Sequence, residues 1–296
     1  MSTLHITNGD CAADTLRTFL PDPVKITCDV LHDGPIVPAP AWLAAATGEY
    51  DEVVLWFEHD LFDQLLLIRA LDALHDQSHV SLICIDRFPG VEPFYGLGQL
   101  NAGQLASLTD TRSPVTSDQY ALAQHAWAAF GAADPRELAQ VAHLTTTSKR
   151  ARAVLPFLGD ALTRFLAEYP SVAHGLSRTE EVALSVLRDG PSTAGELFWA
   201  VHARETSPFM GDWSFYAILR GLASARTPLL GIHDLTDDVD IRSLNVAITE
   251  AGRDVIEGRE DAIALNGIDR WLGGVHLIGE ERSPWRWDGW RETLVS

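Results

Sequence analysis

The sequence is short of cysteine, of basic residues and of long apolar runs, and each shortage removes a class of protein. It has three cysteines in 296 residues, Cys11, Cys28 and Cys84. They are odd in number, widely spaced and without CxxC spacing, which argues against a disulfide framework and against a thiolate zinc site. Cys28 and Cys84 lie in apolar, strand-like runs, where a free thiol packs as a small hydrophobe. That usage fits a reducing cytoplasm. No run approaches the roughly 18 apolar residues that a spanning helix needs. Residues Met1 to His5 offer neither a basic start nor an apolar stretch, so no secretory signal is expected. The expectation is a cytoplasmic protein with no membrane partner.

Positive charge is scarce as well. Lys and Arg number 22 against 41 Asp and Glu, a formal net charge of −19. Residues 1–115 carry 5 basic and 16 acidic groups, residues 116–174 carry 5 and 5, and residues 175–296 carry 12 and 20. Binding to nucleic acid requires a basic face that neutralises phosphates, so nucleic acid is not expected as a partner. The one basic cluster is Lys149-Arg150-Ala151-Arg152. It reads as a solvated helix start, or as a source of cations for a phosphate-bearing ligand if it folds over the site. Four familiar signatures are also missing: GxSxG, the P-loop, GxGxxG and HExxH.

What is present is an alternation of strand and helix signals over the first 90 residues. Leu4 to Thr7, Val24 to Cys28, Val53 to Phe57 and Val80 to Ile85 read as strands. Residues 11–20 and 61–75 read as helices, the second with Leu61, Leu65, Ile68 and Leu71 at helical spacing and Asp60 as its N-cap. Strands that are apolar throughout, separated by helices, imply a parallel sheet covered on both faces. Residues 89–115 form an irregular excursion with a short helix near Asn101 to Leu108. Residues 117–168 read as three helical pieces. From Leu176 the order becomes three helices, the second from Ser192 and the third from Gly211, then two strands around an acidic loop. That is the order of a winged helix. We therefore expect an α/β chain in three parts: a Rossmann-like parallel-sheet domain over 1–115, a helical connection over 116–174, and a winged-helix-like α+β domain over 175–296 with a Trp-rich end.

The chemistry-bearing residues fall at the strand ends. The first strand ends in Asn8-Gly9-Asp10. The second leads to Asp29 and His32-Asp33-Gly34-Pro35. The third ends in Glu58-His59-Asp60, and the fourth in Asp86-Arg87. In an open parallel sheet these ends share one edge, where ligands bind at a topological switch point. Asp, His and Asn together can hold a divalent cation, which would activate water or clamp a phosphate. Without a metal, His32 or His59 beside a carboxylate can act as general base or acid. Asp10, Asp33 and Asp60 are the candidate metal ligands. His32, His59 and Asp33 are the candidate acid–base groups, and Asn8, Gly9, Asp10, Glu58 and Gln64 the candidate ligand contacts. Plainer roles stand beside these: Asp10 and Asp60 as helix N-caps, His32-Asp33-Gly34-Pro35 as a tight turn, and His5 as a satisfied core histidine.

Three of these stretches, His5-Ile6-Thr7-Asn8-Gly9-Asp10, Asp29-Val30-Leu31-His32-Asp33-Gly34-Pro35 and Leu55-Trp56-Phe57-Glu58-His59-Asp60-Leu61-Phe62-Asp63-Gln64, resemble an uncharacterised bacterial family known as domain of unknown function eighteen thirty-five. The resemblance covers roughly residues 1–120 and implies no known activity. The functional expectation therefore rests on the residues: a small, phosphorylated or nucleotide-like ligand at the strand-end crevice, with metal-assisted hydrolysis. The alternative is a ligand-sensing transcriptional regulator or a protein-interaction module working through the winged-helix-like part. The expected third helix has one Arg among large apolar residues, and the acidic loop carries Asp234, Asp237, Asp238 and Asp240, which oppose phosphate.

Overall fold

The structure is a computed structural model that describes residues 2–27, 35–36, 38–75, 79–205, 210–233, 240–279 and 285–296. The chain divides into two compact units, Met1–Leu162 with Gly273–Val275, and Thr163–Leu272 with His276–Ser296. Residues 116–162 of the helical region belong to the first unit. No helix among the described residues is long and apolar enough to cross a membrane.

The first unit runs β1 (Thr3–Thr7), α1 (Asp10–Arg17), β2 (Val24–Ile26), α2 (Ala41–Glu49), β3 (Glu52–Glu58), α3 (Leu61–Ala73), β4 (Val80–Ile85), α4 (Ala102–Leu108), β5 (Ser113–Pro114), α5 (Ser117–Gly131), α6 (Arg136–Thr147), α7 (Lys149–Val154) and α8 (Leu158–Leu166), whose last residues enter the second unit. Its sheet has the order β2-β1-β3-β4-β5. The first four strands are parallel and β5 is antiparallel to β4. The mixed α/β expectation holds in this form. Cys28, Asp29, Val30, Leu31, His32, Asp33 and Gly34 lie outside the described residues.

Both faces of the sheet are covered, which is why Val53 to Phe57 are buried without alternation. On one face Ala12, Ala13 and Leu16 of α1 and Leu105 and Leu108 of α4 meet Val24, Val54, Trp56 and Ile83. On the other, α3 lies against β3 and α5. That placement explains why α3 is buried on nearly every side, from Leu61 through Leu71. Its N-cap is Asp60, whose carboxylate accepts the Asp63 N–H at 2.7 Å.

His5 is the satisfied core histidine that its place on the first strand implies. It is buried, and its Nδ1 accepts the Trp56 indole N–H at 2.9 Å. Accepting there requires a bare Nδ1, and burial, which outweighs the opposing pull of Asp22 and Glu52, lowers the imidazole's pKa. His5→Leu would strand a buried indole N–H and is expected to cost about 1–3 kcal/mol in denaturant unfolding. An unchanged midpoint would contradict this pairing.

The second unit contains α9 (Arg178–Leu187), β6 (Ser192–Thr193), α10 (Ala194–His202), α11 (Asp212–Ser224), β7 (Leu230–His233), β8 (Asn245–Ile248), α12 (Glu250–Ile256), α13 (Ala262–Asn266) and the strand pairs β9 (Ile268–Leu272) with β10 (Val275–Gly279) and β11 (Arg286–Asp288) with β12 (Thr293–Val295). Strands β6, β8 and β7 form a small antiparallel sheet in that order. Helix α9 is capped by Ser177, in a capping box with Glu180. Thr179, in its first turn, donates its hydroxyl to Glu168 at 2.7 Å. Of the acidic loop only Asp240 is described; it caps a short 3-10 turn by accepting the Arg242 N–H.

This unit holds a buried ion network. The Arg164 guanidinium forks onto Glu205 at 2.8 Å through Nε and Nη2, and donates to Glu168 at 2.7 Å. Burial alone would push the Glu168 carboxyl up, but Arg164 and the Thr179 hydroxyl outweigh it and hold its pKa below the ordinary value. Arg164→Met would leave two carboxylates short of their partner and is expected to destabilise this unit by about 3–5 kcal/mol. The check is denaturant unfolding, and a loss below 1 kcal/mol would show that the network contributes little.

Candidate functional site

The sheet order places a switch point between β1 and β3. The chain leaves β1 toward β2 on one side and then returns to the other side for β3. Loops that leave adjacent strands in opposite directions open a crevice at the carboxyl ends. Asn8-Gly9 follows β1 there, and His59-Asp60 follows β3.

Three carboxylates converge at this point. Glu58 ends β3, Asp60 caps α3 and Asp63 stands in its first turn. One carboxylate oxygen from each lies within 4.8 Å of the others. Asp63 is the most constrained. Its Oδ2 accepts the Asn8 amide at 2.8 Å, and its Oδ1 accepts the Glu58 N–H at 3.2 Å. It therefore ties the β1 end to the β3 end. The Glu58 carboxylate accepts the Leu97 N–H. Gln64 donates to the Glu58 carbonyl at 2.6 Å and lies 3.5 Å from the Cys84 sulfur.

Crowding and burial oppose ionisation here. Glu58 and Asp60 are pushed well above the ordinary carboxylate range, first by burial and then by neighbouring carboxylates. Asp63 is pushed up to about 6 by burial, although Asn8 and the Glu58 N–H pull the other way. Burial also pushes the Cys84 thiol up, so no thiolate joins the set. All-oxygen donors suit a hard divalent cation.

His59 lies beside the carboxylates between two rings. It stacks on Phe94 at 5.9 Å and meets the edge of Phe157 at 6.3 Å. Its Nδ1 is buried and has no hydrogen-bond partner among the described residues. Burial lowers its pKa, against the pull of Asp86, so the neutral imidazole is favoured. Phe94 also lines a cleft of about 520 Å³ formed by residues 86–94. At its mouth Arg87 grips Asp86 through two bonds of 2.9 and 2.7 Å.

The expected residues thus divide into three groups. Asn8, Glu58, Asp60 and Gln64 come together, and His59 joins their edge. Asp10 is exposed at the start of α1 and does not enter the carboxylate group. It stands in the first turn of α1. Gly9 precedes it at φ 73°, with open space where a side chain would stand. The remaining candidates, His32 and Asp33, lie outside the described residues. Asp63 joins Glu58 and Asp60 among the described residues. Its one sequence signal is an acid within the apolar Leu61 to Leu71 run, which is easily read as helix polarity. Gly96 carried no signal at all, yet a Cβ there would stand 2.0 Å from Glu58 Oε1. Neither a protein-family model nor a curated protein matches the chain.

Two predictions follow from this geometry. Carboxyl pKa values raised by folding mean that the folded chain keeps protons which the unfolded chain has lost. The cluster therefore costs nothing in acid, and its cost grows as pH rises from about 4 through 6. Asn caps a helix as well as Asp does, so Asp60→Asn removes one charge and keeps the cap. With chelator at neutral pH its melting temperature should equal or exceed that of the wild type, and a fall of several degrees would refute the charge-repulsion account. Gly96→Ala, at a φ of 157° that an L side chain rarely adopts, should displace the Glu58 carboxylate and lower the melting temperature, and an unchanged melting temperature would contradict the close approach.

Proposed function

We propose that the β1/β3 crevice binds a hard divalent cation and, with it, a small phosphorylated or nucleotide-like ligand, and that it supports metal-assisted hydrolysis. The observation that carries this reading is the meeting of Glu58, Asp60 and Asp63 within 4.8 Å at the switch point. A cation there relieves carboxylate repulsion, offsets phosphate charge and polarises a water. Glu58, Asp60 and Asp63 would hold it, while Asn8 and Gln64 orient Asp63 and the Glu58 backbone. Neutral His59, with its free Nδ1, is the general base. The cleft lined by Phe94 receives the ligand body. On the same footing we assign residues 1–120 to the family of unknown function whose three motifs they resemble.

We read the α9 to β8 part of the second unit as a winged helix, from its helix order and its β6-β8-β7 sheet. Its third helix, α11, exposes Trp213, Ala217, Arg220, Gly221 and Ser224. With one cation on that face, a protein-interaction role fits better than phosphate contact.

Calorimetric titration with Mn²⁺ tests the cation site. One ion per chain is expected, lost in Asp60→Asn and in Asp63→Asn, with release of nitrophenol from p-nitrophenyl phosphate that depends on the ion. Absence of stoichiometric uptake at neutral pH would overturn the metal reading. Uptake without any phosphoester cleavage would leave a binding site and remove the hydrolytic role.

A further inference from the structure

We infer a second ligand site in the first unit, at the open edge of β2, for a planar aromatic anion of the nucleoside monophosphate type. It is separate from the crevice and needs no cation. In the sheet order β2 is an outermost strand, so its far side has no strand partner among the described residues. A cavity of about 400 Å³ lies against it, lined by Arg17, Val24, Lys25, Ile26 and Trp42.

Three elements build this cavity. Arg17 comes from the last turn of α1, and Trp42 from the first turn of α2. Val24 and Ile26 supply an apolar floor from the strand itself. Arg17 is held in place: its Nη1 pairs with Asp14 at 2.7 Å and its Nη2 donates to the Val24 carbonyl at 3.1 Å. Lys25 is the one lysine in residues 1–115, which carry only five basic residues against sixteen acidic ones. Its ammonium sits 4.7 Å over the Trp42 ring.

An edge lysine has a plain role, since a charge discourages another strand from pairing. That role is best served by a side chain extended into water. Here Lys25 is half-buried and folded over an indole, and the neighbouring Val24 carbonyl is already occupied by Arg17. One lysine cation on an indole, an arginine paired with Asp14 and an apolar floor around one cavity match the needs of a flat anion. The ring would take the Trp42 face that the Lys25 ammonium now covers, and the ammonium would shift onto the anionic group, with Arg17 held at the rim by Asp14 and Val24. The acidity of the surrounding surface makes this one of few places where such an anion is attracted at all.

AMP titrated into the full chain in the presence of EDTA, followed by the NMR signals of the indole N–H groups, is the test. EDTA removes the cation on which crevice binding depends, and Asp60→Asn should leave the titration unchanged. Saturable binding is expected, with one indole signal moving, and inorganic phosphate should compete more weakly. Lys25→Gln and Trp42→Ala should each weaken AMP at least about tenfold, and Trp42→Phe should restore part of the affinity. No saturable binding in EDTA would overturn the inference. So would AMP affinity unchanged in Lys25→Gln and Trp42→Ala, or a Lys25→Gln variant whose only change is self-association.

Discussion

The first unit depends on Asp63, a buried carboxylate that bonds to Asn8 from one strand end and to the Glu58 N–H from another. Without it the loops after β1 and β3 would have no shared polar anchor. The same carboxylate pushes the carboxyls of Glu58 and Asp60 further from ionisation. A group that holds the crevice together by hydrogen bonds therefore also destabilises it by charge. Buried carboxylates with shifted pKa values of this kind cluster at functional sites.

The segment after β4 is adjusted to that compromise. Leu97 offers its N–H to Glu58, Gly96 leaves room for the carboxylate, and Phe94 covers His59. Glycine at 96 matters for close approach, because any side chain would occupy the space of Glu58. The irregular excursion between β4 and α4 is thus the wall of the site. Its lack of regular structure follows from having to deliver a ring, a small residue and a backbone donor to three neighbouring places.

The second unit solves a different problem. Its Arg164 network buries charge with nearly complete pairing, so the charges stabilise one arrangement and present nothing to a ligand. The contrast with the crevice is physical. Glu168 has a guanidinium and a hydroxyl, and its pKa falls. Glu58 has chiefly other carboxylates as electrostatic neighbours, and its pKa rises. Burial is common to both, and the sign of the nearest charge decides between a structural and a functional reading.

Much of the first unit was legible in the chain. The apolar Val53 to Phe57 run, the helical spacing from Leu61 to Leu71 and the Asp60 cap each follow from local rules, and the alternation of elements implied the parallel sheet. Local rules also brought Asn8, Glu58 and Asp60 to one edge, because strand ends in such a sheet must share it. They misjudged what lies beyond a single element. The small antiparallel β5 and the strands near the C-terminus, β9 to β12, were missed because they are short and their pairing is decided by partners. The inclusion of Asp63 turns on which side of a helix start meets a neighbouring strand. That depends on how α1 and α3 seat on the sheet. Sequence by itself determined the element types, their order and the edge where polar groups gather. Tertiary structure alone decided which carboxylates meet, since burial and neighbouring charge are properties of packing and not of position in the chain.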